Sequence, residues 1–247
     1  MPVLSHRMKL AYFDVPKVAN TSIKWVIRQI EADARGAMPS PPVLERARRF
    51  VKARFGSDPK DAWKGIHHAP AFVTESFAAA KPVPDGYLTL AVVRDPILRL
   101  HSAWRDKINE AQFAGRGELQ DVRNEGLPTD PTFGELIDDF ERYRFVARPA
   151  RVHTYGYAFH LGPDRDRFDH LIRIEDMRDV AELFSQRLGH PVEIPHENRG
   201  EAALRDDRLT AAQRQRLLRI VAGDYAWLGG LYDPERALAK LGLDSAG

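Results

Sequence analysis

Three short apolar runs, each leading straight into a segment of helical periodicity, constrain this chain more than any other feature. The runs lie in Lys9–Val15 (KLAYFDV), in 87–93 (YLTLAVV) and in 169–177 (DHLIRIEDM). After the first, Ile23, Val26, Ile27 and Ile30 recur at i, i+3, i+4 and i+7, one face of a helix. After the second, Ile97, Leu100, His101, Trp104 and Ile108 form another such stripe, and the third passes into RDVAELFSQRLG. A nearly continuous apolar run such as 87–93 is what a strand covered on both faces requires. Strands alternating with helices in this way predict an α/β fold with a central, mainly parallel sheet flanked by helices.

Further helices are expected over 43–55 (VLERARRFVKARF), over 133–145 (FGELIDDFERYRF) and within 209–230. Loops are expected at 36–42 (GAMPSPP) and 190–200 (HPVEIPHENRG). Residues 110–131 are polar, with three glycines and two prolines, and read as a long loop or weak helix that is a candidate lid. No internal repeat interrupts this pattern, and a single domain over 1–247, with its core at about 9–233, is the expected organisation.

With 37 basic and 35 acidic residues the net charge is only +2, so any anion site must come from local clustering. The chain has no cysteine, which excludes disulfides, thiolate metal sites and cysteine nucleophiles. No run approaches the about 18 apolar residues of a membrane span, and MPVLSHRMKLAYF has no apolar stretch of signal-peptide length. A soluble, cytoplasmic protein without an integral membrane segment is the expectation. The basic helix at 43–55 is either a solvated face or a rim for an acidic substrate.

Ligands of doubly wound sheets collect at the carboxyl ends of the strands, and two strand ends here share a design. PKVANTS (16–22) places Lys17 just past the first strand. The N–H groups of Val18, Ala19, Asn20, Thr21 and Ser22 then approach a helix N-terminus, which favours an anion. Thr21 and Ser22 add hydroxyl donors, and small Ala19 permits close approach. The plain alternative is a strand-to-helix turn with Ser or Thr as its cap. At RDPILRLHS (94–102), Arg94 follows the apolar strand directly, and a buried arginine needs an anion. Ser102 lies about two helical turns further on. The plain alternative is a structural pair of Arg94 with Asp95, and His101, on the apolar stripe, reads as a core histidine.

Taken together, these stretches resemble the sulfotransferases that use 3′-phosphoadenosine 5′-phosphosulfate (PAPS). PKVANTS is similar to their 5′-phosphosulfate loop, and VVRDPILRLHSAWRDK to their 3′-phosphate motif, most like the carbohydrate branch. LIRIEDM, IPHENRG and GDYAWLGGLYD are similar to later family segments in the same order, so the resemblance spans about 9–233. It implies a three-layer, P-loop-like fold and a PAPS donor, with no metal and no nucleic-acid partner. It also implies an acceptor with a free hydroxyl, a sugar being the family-weighted choice. By the same resemblance Lys17 and the loop through Ser22 hold the 5′-phosphosulfate, and Lys17 stabilises the leaving phosphate. Arg94 and Ser102 hold the 3′-phosphate. Arg199, beside Asn198 on a loop that His196 orients, joins the donor site. Relatives that sulfate uronic-acid hydroxyls carry a base histidine between the two donor motifs. GIHHAPAF puts His67 and His68 there, His68 being the first choice and the acidic Glu175 or Asp176 the alternative. Asn20 departs from the threonine of cytosolic relatives, and no run in this sequence resembles the membrane anchor of animal carbohydrate sulfotransferases, so a protein without one is the expectation.

Two other classes compete. A P-loop kinase or nucleotide hydrolase would need a Walker lysine followed by Ser or Thr, and GK[ST] does not occur. A non-enzymatic anion- or nucleic-acid-binding module built on 43–55 would bind with a steep salt dependence and no preference for a 3′-phosphate.

Overall fold

The computed structural model describes residues 2–33, 82–115, 117–195 and 208–243. The expected helix at 43–55 and loop at 36–42 lie outside the described residues. In chain order the elements are β1 (Val3–Ser5), β2 (Leu10–Phe13), α1 (Asn20–Asp33), β3 (Leu88–Val93) and α2 (Pro96–Lys107). Then come α3 (Glu110–Ala114), α4 (Leu119–Asn124), α5 (Phe133–Asp138), α6 (Phe140–Val146), α7 (Arg148–Thr154) and α8 (Tyr157–Leu161). Last are β4 (His170–Arg173), a 3-10 turn (Ile174–Asp176), α9 (Met177–Leu188), α10 (Ala211–Leu228) and α11 (Pro234–Lys240). The fold is mixed α/β, with a four-stranded, mostly parallel sheet flanked by helices.

The described residues cluster as two compact units. The first holds residues up to 15, 19–33, 82–93 and 166–195, and so contains the sheet, α1 and α9. Its strand order is β1-β2-β3-β4. β1 pairs antiparallel with β2 (Val3↔Tyr12), whereas β2–β3 (Leu10↔Leu88) and β3–β4 (Leu90↔His170) are parallel. β2 is buried throughout, as is β3 from its second residue on, so both central strands are covered on both faces. β4 is only half-buried. The Asp169 carboxylate ties β4 to β3 by accepting from the Thr89 N–H at 2.7 Å and its hydroxyl at 2.8 Å, and the first of these holds its pKa below the usual carboxylate range.

The second unit holds 16–18, 94–115, 117–165 and 208–243. Its core gathers Ile97, Leu100, Trp104, Phe113, Phe133, Leu136, Tyr143 and Leu217 around α2. The 110–131 stretch forms α3 and α4, each pinned into this core by one fully buried side chain, Phe113 and Val122. The helix expected over 133–145 is two helices. A capping box of Thr132 and Glu135 starts α5, and the chain leaves helical geometry at Asp139 (φ −109°, ψ 26°) before α6 begins. The strand expected over 169–177 stops at Arg173, and Ile174–Asp176 turns as a 3-10 segment into α9.

Candidate active site

The first strand end is built around a loop with no glycine. Lys17 and Ala19 both adopt left-handed backbone, with φ 72° and 61°. For residues with a Cβ this conformation costs about 1–2 kcal/mol each. Such outliers persist where the surroundings over-determine them, and they concentrate at ligand clamps. On its far side α1 opens at Asn20, three residues before Ile23, the first residue of the apolar stripe.

Within the first unit a buried polar network ties the end of β2 to the start of α1. Asp14, at the end of β2, forms an ion pair with Lys24 of α1, and their side chains are 3% and 0% exposed. Asn20 Nδ2 donates to the same carboxylate at 3.4 Å, while Asn20 Oδ1 accepts from the Tyr12 hydroxyl. Burial, with Asp14 second, raises the Tyr12 pKa well above the ordinary phenol range, so that hydroxyl stays a donor. Asn20, the departure from the family pattern, is thus used as a strut between β2 and α1. Ser22 is buried and Thr21 half-buried on the first turn of α1.

Within the second unit, residues 16–18 meet the other strand end. The Arg94 guanidinium donates from Nη1 to the Lys17 carbonyl at 3.3 Å, and the Lys17 ammonium is ion-paired with Asp106 on α2. Asp106 lies four residues beyond Ser102, so the two share a helix face. Burial lowers the Lys17 pKa; Asp106 opposes this, and Arg94 and Arg105 add to it. Lys17, Arg94 and the face of α2 that carries Ser102 thus lie together in this unit.

Arg94 is itself clamped through its main chain. Its N–H donates to the Tyr157 hydroxyl at 2.8 Å, and that hydroxyl donates to the Arg94 carbonyl at 2.6 Å. Burial raises the Tyr157 pKa, which keeps the proton in place. Tyr157 is held in turn: its N–H donates to Asp224 Oδ1 at 2.8 Å, Trp227 stacks on its ring, and the Arg99 guanidinium sits 4.9 Å from the ring centroid. Asp95 caps α2 by accepting from the N–H groups of Ile97 and Leu98, and its other oxygen accepts from the Tyr225 hydroxyl at 2.8 Å. Asp224, Tyr225 and Trp227 all come from the GDYAWLGGLYD stretch, which was the signal for this support. Nothing local pointed to Tyr157. His101 is a core residue, 7% exposed and ringed by Trp104 and Phe133.

His67, His68, His196, Asn198 and Arg199 lie outside the described residues. Asp176 accepts from Arg173 Nε at 2.7 Å on the 3-10 turn. Among the described residues no helix is long and apolar enough to cross a membrane.

A family model described as "Sulfotransferase family" matches residues 3–229. The chain belongs to the sulfotransferase family. Its reaction class is accordingly sulfuryl transfer, from a donor to an acceptor, and the sheet with its strand-end loop is the P-loop-like architecture of that family. No curated protein and no solved structure gives a significant match. In this family member the matched span takes in both strand ends and their supports from Asp14 to Trp227.

Proposed function

We propose that this chain moves a sulfuryl group from PAPS to an acceptor hydroxyl, with a sugar as the acceptor class. One observation carries the reading: the Lys17 loop and the Arg94 strand end meet, with Arg94 on the Lys17 carbonyl and Lys17 on the α2 face that bears Ser102. Two cations and a hydroxyl gathered this way suit a ligand with two separate anionic groups, and PAPS has a 5′-phosphosulfate and a 3′-phosphate. Lys17 and the N–H groups of Val18 to Ser22 take the first; Arg94 and Ser102 take the second, with Arg199 joining the nucleotide.

The acceptor oxygen attacks sulfur in line, the bond from sulfur to the phosphate oxygen breaks, and its electron pair leaves on adenosine 3′,5′-bisphosphate. The acceptor proton passes to His68, or to His67. Such a step is driven by positioning and by stabilising charge on the leaving oxygen. Lys17 suits that role because its ammonium can exchange Asp106 for the phosphate as charge develops. Main-chain clamping by Tyr157 holds Arg94 in register with the loop while this happens.

The test is a thermal-shift comparison of adenosine 3′,5′-bisphosphate with adenosine 5′-phosphate, followed by transfer from labelled PAPS to a panel of sugar and non-sugar hydroxyls. A clear rise in melting temperature with the bisphosphate and little with the monophosphate is expected. Equal shifts would remove Arg94 and Ser102 from the donor site.

A further inference from the structure

Arg94 lies one residue past the end of a sheet ladder. The last paired residue of β3 is Val93, opposite Arg173, and β2 already ends opposite Ala91. Main-chain groups that outrun a ladder need partners from elsewhere. One hydroxyl serves both groups of Arg94: Tyr157 accepts from its N–H at 2.8 Å and donates to its carbonyl at 2.6 Å.

That hydroxyl is fixed from behind. Tyr157 is fully buried, its N–H donates to Asp224 Oδ1 at 2.8 Å, and the Arg99 guanidinium sits over its ring. Trp227 stacks on the ring with centroids 5.5 Å apart, and its own Nε1 donates to the Gly162 carbonyl at 2.8 Å, so the stack is anchored as well. The next residue has its own holder: Asp95 Oδ2 accepts from the Tyr225 hydroxyl. The side-chain hydrogen bonds of Tyr157 thus go to the main chain of Arg94 alone. At its other end Arg94 reaches the Lys17 carbonyl with Nη1.

We infer that Tyr157 is the positioning residue that makes the donor site selective for a 3′-phosphate, acting through Arg94; the assignment rests on the donor reading above. A guanidinium on a movable root follows an anion over a range of positions, and so discriminates poorly between nucleotides. A guanidinium on a fixed root reaches one place, and a nucleotide with no phosphate there gains nothing from it. In that reading the 5′ group rests on the Lys17 loop, so the contribution of Tyr157 falls on the 3′ group.

Isothermal titration of the full chain with adenosine 3′,5′-bisphosphate and with adenosine 5′-phosphate tests this. Tyr157→Phe removes one oxygen and keeps the ring against Trp227 and Arg99. The bisphosphate should bind it about tenfold more weakly than it binds the parent, and the monophosphate equally well. In an Arg94→Gln background the same change should cost the bisphosphate nothing further, because no guanidinium is left to place. Trp227→Leu, which spares the hydroxyl and frees the ring, should show the same selective loss and carries the test if Tyr157→Phe does not fold. An equal loss for the two nucleotides, an unchanged preference, or an additive loss in the Arg94→Gln background would each overturn the assignment. A parent that binds the two nucleotides equally would strike the donor reading itself and the assignment with it, so the two failures are told apart.

Discussion

Lys24→Met isolates the network that frames the Lys17 loop. Asp14 and Lys24 stand on either side of that loop, 3% and 0% exposed, and Asn20 leans on the same carboxylate. Removing the ammonium leaves a buried carboxylate without its counter-charge, which costs about 3–5 kcal/mol. At roughly 2–4 °C per kcal/mol for a chain of this size, the melting temperature should fall by roughly 6–20 °C. The double variant Asp14→Leu/Lys24→Met removes both charges. It still strips Asn20 Nδ2 of an acceptor, about 1–3 kcal/mol, so it should be less damaging than Lys24→Met alone. The coupling energy in a double-mutant cycle should be at least about 2 kcal/mol. Urea denaturation followed by tryptophan fluorescence and circular dichroism gives all three values, and nucleotide affinity should drop in the single variants because the loop loses its frame. The reasoning fails if Lys24→Met lies within about 1 kcal/mol of the parent, or if the double variant is no better than the single.

Three further outcomes are expected. Lys17→Ala should lose far more in turnover than in nucleotide affinity, and Lys17→Arg should rescue little, since a planar guanidinium cannot take the position of a point ammonium; single-turnover transfer beside a binding titration decides. His68→Ala should cut transfer by about 10²–10⁴-fold with nucleotide binding intact, and His67→Ala should cost less; a loss confined to Glu175→Ala would move the base to the acid. His160, 3% exposed, has its pKa lowered to about 3, first by burial and then by Arg99. Its depressed value means that the unfolded chain takes up the proton first, so stability is complete above about pH 6.5 and is lost as pH falls toward 3, on the order of 2 kcal/mol by pH 5. Denaturation midpoints against pH should show that slope, and His160→Phe should flatten it.

The parallel sheet was legible because β2 and β3 are buried on both faces, which leaves an unbroken apolar run with no other reading. β1 was not, since three residues at an antiparallel edge carry no period. β4 was overextended because alternation in LIRIEDM continues past Arg173, while the backbone turns at Ile174. At the site, Lys17 and Arg94 could be named from strand ends followed by helices, yet their partners could not. Asp106 is 89 residues from Lys17, and Tyr157 is 63 from Arg94, distances over which pattern carries no information. Lys24 was not singled out at all, because nothing in its helical position signals that the tertiary setting buries it against Asp14.

The way the chain threads its two units sets a timetable for synthesis. The carboxylate that neutralises Lys17 leaves the ribosome 89 residues after it, which at about 5–20 residues per second is roughly 4–18 s later. The anchor between Thr89 and Asp169 waits on another 80 residues, and the contact of Arg187 with the Met8 carbonyl closes across 179. Pairings of such span make loop closure slow. Over those intervals the nascent chain carries β2 and the cationic loop without their eventual neighbours, an apolar strand beside a lysine that has yet to meet Asp106, and this is the window in which a chaperone would find it.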